Sequence, residues 1–319
     1  MKESLVITPH DIWVAAERLG RILPPTPLVR SRQLEEITGK PHYLKVESMQ
    51  PTGSFKVRGA LNRLLSLGGA RSIVTASSGN HGAAVAWAAA RLGISASVVV
   101  PETTPETKLQ NIAGRGARIT LYGDIYDEAE EYARCTAAEN GSMYVSAFAD
   151  SMVMAGQGSL VLELTEQPEL MGTLVVPVGG GGLISGVAVA AKAVSSQIRV
   201  IGVQPAASCP MYRSFEAGHM VTTDHHPTLS DATAGDIAEE TLQIVMRHVD
   251  HMVTVTEEEI ARAIRHLLLN EHLVAEGAGA LATAAVLSGR LPPDTPTPII
   301  LVLSGHNIDE VHLVRAVTS

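Results

Sequence analysis

Residues Leu174-Val175-Val176-Pro177-Val178 run directly into Gly179-Gly180-Gly181-Gly182, and Leu183-Ile184-Ser185-Gly186 follow. The apolar run reads as a buried strand, and the segment beyond the glycines reads as the start of a helix. Four consecutive glycines are entropically costly as mere connection. They make sense where backbone N–H groups must converge on a dianion such as phosphate. A dinucleotide fingerprint fails here. Counting G-x-G-x-x-G from Gly179 or Gly180 puts Ile184 or Ser185 at the last glycine, and the end of the next strand carries Gln204 where a ribose would want an acid. No Lys-Ser/Thr pair of the P-loop kind follows the glycines either.

Outward from this turn the same alternation repeats. Strands are expected at Tyr43–Val46, Ser72–Ala76, Ser95–Val100, Arg118–Leu121, Leu174–Val178, Val200–Val203, Met252–Val255 and Ile299–Leu303. Between them the 3.6-residue period predicts helices at Asn80–Leu92, Glu106–Gly114, Ile125–Asn140, Met152–Leu164 and Glu257–Leu269, the last opened by the capping-box pair Thr256 and Glu259. Strand–helix–strand repetition gives an α/β fold with two lobes of open, mostly parallel twisted sheets flanked by helices. Residues 72–149 form a smaller lobe, and 1–71 with 150–319 form a larger one. No Pro-rich or Ser/Gly-rich linker separates them, so the lobes share a tight cleft. Segment 205–236 lacks periodicity and is expected to be irregular connection.

The 319 residues are 45% hydrophobic but only 3% aromatic, so the core must be built from Ala, Val, Leu and Ile. A net charge of −9 without a dense Lys/Arg block excludes a nucleic-acid surface. No apolar run has the length of a signal peptide at Met1–Trp13 or of a bilayer span elsewhere, which predicts a cytoplasmic protein with no membrane partner. Cys135 and Cys209 stand far apart, giving neither a disulfide framework nor zinc spacing. Adjacent His225 and His226 without further ligands read as solvated loop, so no metal is assigned.

Three further stretches carry candidate chemistry. In Pro51-Thr52-Gly53-Ser54-Phe55-Lys56-Val57-Arg58, a lysine at a loop–helix junction is either a solvated surface residue or a desolvated amine able to attack an aldehyde. Thr75-Ala76-Ser77-Ser78-Gly79-Asn80-His81-Gly82 follows a strand and opens an Ala-rich helix. Such a turn is ordinary in composition, yet its free N–H groups and positive helix end would hold a carboxylate. Leu303-Ser304-Gly305-His306-Asn307 again lies at a strand's carboxyl end, where α/β sheets bind ligands.

Together these stretches resemble the fold-type II pyridoxal-phosphate enzymes, the serine/threonine dehydratases and serine racemases, with a tryptophan synthase β-like fold. The likeness runs from Pro27-Leu28 to Ser304. It implies pyridoxal 5'-phosphate as cofactor, carried by Lys56, with Phe55 beside its ring, Asn80 on its ring hydroxyl, Gly179, Gly180, Gly181 and Gly182 around its phosphate, and Ser304 at its pyridine nitrogen. Ser77, Ser78, Gly79, Asn80 and His81 would hold the substrate carboxylate. Ser78 matches the second acid/base of racemases, and Glu276 matches an acid near the ring, although a carboxylate at a helix N-terminus has the same sequence. The resemblance further implies a homodimer acting on a small amino acid.

The expected reaction is elimination of water and ammonia from a 3-hydroxy amino acid such as threonine or serine. Serine racemisation is the alternative, as are the substrates 3-phenylserine, 3-hydroxyaspartate or a hydroxyectoine-derived compound, or a non-catalytic protein that binds only the cofactor or phosphate. Three departures bear on this choice. His306 stands in a Gly-Gly-Asn pattern. Gln204, Cys209 and Pro210 stand where relatives with a divalent cation carry acids, so that site is expected to be lost. Ser146-Ala147-Phe148 replaces a His-Pro-Asn stretch, leaving Phe148 either as core or as pocket wall.

Overall fold

A computed structural model describes residues 7–69, 71–167, 169 and 172–318. Two sheets organise the chain. The larger has six strands in the order β1 (Leu28–Arg30), β2 (His42–Val46), β10 (Ile299–Leu303), β7 (Thr173–Pro177), β8 (Arg199–Pro205), β9 (His251–Val255). The smaller has four, in the order β5 (Arg118–Leu121), β4 (Ser95–Val100), β3 (Ser72–Ala76), β6 (Met143–Tyr144). Every pairing is parallel except that of β1 with β2. Parallel strands need both faces covered, and β7 and β10 are buried along their whole length.

The helices supply that cover with small residues. Helix α4 (Asn80–Leu92) buries Ala84, Ala86, Ala88 and Ala89 in one cluster with Ile73, Val98 and Val100 of the smaller sheet. Helices α7 (Ser151–Leu162) and α12 (Gly277–Leu287) are apolar on every side and buried along most of their length. The capping box at Thr256 and Glu259 forms both reciprocal bonds and opens α11 (Glu257–Leu269). The same device at Thr8 and Asp11 opens α1 (Pro9–Gly20), a helix whose start signal is equally plain in the sequence.

Segment 205–236 is not wholly irregular, contrary to its lack of period. Pro210 at the first turn and Gly218 at φ 76° bracket α9 (Pro210–Ala217), and a 3-10 turn covers Asp231–Thr233. Eight residues are too few for periodicity to register, whereas the Pro start and Gly stop are punctuation independent of it.

Helix α3 (Lys56–Ser66) is anchored by charge rather than by greasy packing alone. Arg58 forms a fork on Glu47, with Nε to Oε2 at 2.7 Å and Nη2 to Oε1 at 2.8 Å, while Nη1 reaches Glu163 Oε1 at 2.6 Å. Lys45 donates to the other oxygen of Glu163, and the Thr26 hydroxyl donates to Glu47 at 2.6 Å. Two cations thus face two carboxylates, and Glu47 and Arg58 are fully buried. The Arg58 guanidinium holds the Glu47 carboxyl below its usual range against the opposing effect of burial.

Candidate active site

The four stretches meet. Lys56 at the start of α3, Ser77–His81 at the start of α4, Gly179–Gly182 at the start of α8 (Gly182–Val194) and Ser304 after β10 line one cavity of about 380 Å³ with Phe55 and Glu276. Three of them follow the carboxyl ends of β3, β7 and β10, where strand and helix diverge and leave a crevice. A hollow of about 440 Å³ among Ile7, Val189, Gln243 and Arg247 contains none of these groups.

Lys56 Nζ donates to the Ala147 carbonyl at 3.0 Å. Burial of the amine lowers its pKa to about 8, with the Glu276 charge resisting the fall. An amine of that pKa is partly neutral at physiological pH, and a neutral amine is the nucleophile that attacks aldehydes. Of the two readings open in the sequence, the desolvated amine is therefore the one that the structure supports.

The glycine turn has no room for side chains. A Cβ on Gly180 would lie 2.6 Å from the Phe148 ring, and Gly181 adopts φ 94°, a left-handed conformation strained for any other residue. The bare turn leads into the positive end of a 13-residue helix, so its N–H groups suit a dianion. Phe148 is half-buried and lines the cavity over this turn, so it is pocket wall rather than deep core.

Glu276 is buried at the N-cap of α12, but its side chain makes no capping bond. It turns instead to Asn80, whose Nδ2 donates to Oε1 at 2.7 Å. Burial, aided by the Asp231 charge, raises its pKa to about 7. His81 is buried with Nε2 at 3.3 Å from the Val145 carbonyl, and burial together with the Lys56 charge lowers its pKa to about 3. It is a neutral ring at working pH.

The cavity also contains groups that sequence reasoning passed over. Lys108 on α5 (Glu106–Ala113) pairs with Asp231 at 2.9 Å, tying that helix to the 3-10 turn at the cavity wall. Thr233 lies beneath Gly179, and Asn307 bonds to Asn80. Thr233 belongs to no strand-end motif, whereas Asn307 closes the Leu303–Asn307 stretch, where the sequence assigns it no role. Gln204 is buried and spends Oε1 on the Tyr212 N–H at 2.8 Å, fastening α9. His225 is no free loop residue. It bridges the Ser208 hydroxyl at 2.7 Å and Asp236 Oδ1 at 3.0 Å. No cluster of three metal-ligating side chains occurs among the described residues.

A planar aldehyde carrying a phosphate fits these groups. The glycine turn offers N–H donors in a space that a Cβ would fill, and across the cavity stands an amine of lowered pKa. Comparison with known proteins agrees. The family model described as pyridoxal-phosphate dependent enzyme matches residues 21–305. An L-threonine ammonia-lyase of Thermotoga maritima is 43% identical over 311 residues, covering 95% of this chain and 76% of that protein. The structure of maize serine racemase superposes with a TM-score of 0.92 at 30% identity, covering 98% of this chain and 97% of that one. A threonine deaminase of T.th. superposes with a TM-score of 0.88 at 39% identity, covering 95% of this chain and 99% of that one.

Proposed function

We propose that this chain, which belongs to the pyridoxal-phosphate dependent enzyme family, eliminates water from L-threonine to give an enamine, which takes a water back on hydrolysis and leaves 2-oxobutanoate and ammonia. The observation that carries the reading is the Lys56 amine, of pKa about 8, facing a side-chain-free glycine turn across one cavity. Pyridoxal phosphate, when bound, supplies an electron sink for the charge left at the substrate α-carbon.

The chain's own groups then have distinct tasks. Gly179–Gly182 and the start of α8 would hold the phosphate, Phe55 would pack at the ring and Asn80 would hydrogen-bond the ring hydroxyl. Ser304, a neutral hydroxyl, would meet the ring nitrogen without enforcing its protonation, which would favour prompt loss of the β-hydroxyl. Ser77–His81 bind the substrate carboxylate through N–H groups at the start of α4. Neutral His81 adds no charge that would compete for that carboxylate. The Lys56 amine, once free, removes the α-proton. Ser78 lines the same cavity as Lys56, and that favours racemisation of serine as a second reaction, in which the two would serve opposite faces of the substrate α-carbon.

The lobes 72–149 and 1–71 with 150–319 enclose the cofactor in this reading; residues 1–6, 70, 168, 170, 171 and 319 lie outside the described residues. Cytoplasmic location and a homodimer belong to the same proposal. The unpaired Cys135 and Cys209 support the first, and among the described residues no helix is long and apolar enough to cross a membrane.

The test is a 2-oxo acid assay of the purified protein over L-threonine, L-serine, 3-phenylserine and 3-hydroxyaspartate, with and without chelator. Threonine is expected to turn over fastest and indifferently to divalent cations, because Gln204 is committed to Tyr212. Colour on cofactor addition without oxo acid from any of the four would reject the lyase reading. A second expectation follows from Lys56 alone. The rate of cofactor uptake by the apo-protein should rise about tenfold per pH unit below 8 and level off above it, since only the neutral amine reacts. Stopped-flow absorbance measures this, and a rate still climbing at pH 10 would mean an ordinary solvated lysine.

A further inference from the structure

Asn80 has an amide that could face the cavity with either its oxygen or its nitrogen, and the two choices present opposite polarity to a ligand. The neighbours remove the ambiguity. Asn307 Nδ2 lies 2.9 Å from the Thr52 carbonyl oxygen, an atom that can only accept, so nitrogen is the atom of Asn307 at that position. The same Nδ2 lies 2.6 Å from Asn80 and donates to its Oδ1. Asn80 Nδ2 is thereby turned to Glu276, donating to Oε1 at 2.7 Å. Asn307 Nδ2 thus donates both to Thr52 and to Asn80, and Asn80 donates in turn to Glu276.

Backbone packing makes this reach available. His306 N–H donates to the Gly53 carbonyl at 3.0 Å, Phe55 N–H donates to the Ser304 carbonyl at 3.0 Å, and Ser54 bridges Gly305. Gly53 adopts φ 76°, and a Cβ there would lie 2.6 Å from Asn307 Oδ1. The missing side chain is the space in which the Asn307 amide lies.

We propose that Asn307 is a positioning residue that fixes the Asn80 amide with one N–H held by Glu276 and the other free for the cavity. This rests on the assignment of Asn80 to the cofactor's ring hydroxyl given above. Asn307→Asp keeps the shape but puts acceptors against the Thr52 carbonyl and Asn80 Oδ1. The Asn80 amide then turns over and presents oxygen where a donor is needed. Asn307→Ala removes the donors without adding repulsion.

The experiment compares the absorbance of the cofactor-loaded protein, without substrate, for wild type, Asn80→Ala, Asn307→Asp, Asn307→Ala and the Asn80→Ala/Asn307→Asp double variant. Thermal unfolding of each apo-protein confirms that it is folded. Asn307→Asp is expected to shift the absorbance maximum in the same direction as Asn80→Ala, and Asn307→Ala to shift it less. Turnover of threonine by Asn307→Asp should fall about 10- to 100-fold in kcat with little change in KM, the scale set by loss of an outer partner that orients a site group. The double variant should be no worse than Asn80→Ala, because Asn307 acts only through that amide. A folded Asn307→Asp with the wild-type spectrum, or losses that multiply in the double variant, overturns the inference. A wild-type spectrum for Asn80→Ala overturns instead the assignment of Asn80 to the ring.

Discussion

Lys56→Ala is expected to lower kcat on threonine by about 10⁴-fold, the upper range for removing a positioned acid/base group. The protein should still bind pyridoxal phosphate through the glycine turn, so the loss belongs to chemistry rather than to occupancy. Borohydride treatment should fix the cofactor to the wild type and leave it dialysable from the variant. Stability should not suffer, because the variant removes an amine whose burial disfavours its charged form. Lys56→Arg is the control for charge: a guanidinium remains protonated and cannot replace the amine. Turnover by Lys56→Ala within tenfold of wild type would show that another group takes the α-proton.

The largest effect on stability is expected at Arg58, which no substrate touches. Arg58→Met leaves Glu47 buried at 0% exposure with Thr26 as its remaining side-chain donor. Breaking one side of a buried pair costs about 3–5 kcal/mol, which lowers Tm on the order of 10 °C for a chain of this size. The pH dependence has a definite sign. Glu47 has a lowered pKa in the fold, so its contribution is present above the unfolded carboxylate range and is lost as pH falls through the folded value. Arg58→Met should flatten that acid limb of the stability curve. Adding Glu47→Leu to Arg58→Met should recover stability, since the orphaned charge is the source of the loss. Calorimetry of the apo-protein from about pH 2 to about pH 8 reads both. An unchanged Tm in Arg58→Met would mean that water reaches Glu47.

Much of this architecture is legible in the chain because parallel strands are short, apolar and β-branched. Ser72–Ala76, Ser95–Val100 and Ile299–Leu303 coincide with observed strands residue for residue. Strand β8 extends beyond Val200–Val203 to Arg199–Pro205 because its partners set its length, with Arg199 opposite Thr173 and Pro205 opposite Val255. Such pairing cannot be read from one strand. The site divides in the same way. Lys56, the Ser77–His81 turn, the glycines and Ser304 stand in compact local motifs, and all reach one cavity. Asn307 and Lys108 join through partners far away in sequence, Thr52 and Asn80 for one and Asp231 for the other. Their neighbours in sequence say nothing of those contacts. Phe148 is open between core and cavity in the sequence because an isolated Phe has no pattern; the glycine turn beneath it decides the matter.

The position of β10 has a consequence for how the chain comes into being. Strand β10 comes after every other described strand in the chain, yet it lies between β2 and β7 in the middle of the larger sheet. Its end also pairs Gly305 with Ser54, two residues before Lys56. On the ribosome the first 298 residues would leave β2 and β7 with facing edges unfilled and the lysine without its neighbouring turn. The smaller sheet, made wholly from residues 72–144, can form long before. Synthesis therefore yields a finished half and a gapped half, and one late strand both closes the gap and assembles the site. A cell that interrupts translation short of β10 accumulates no partly active enzyme, only a sheet edge for chaperones to cover.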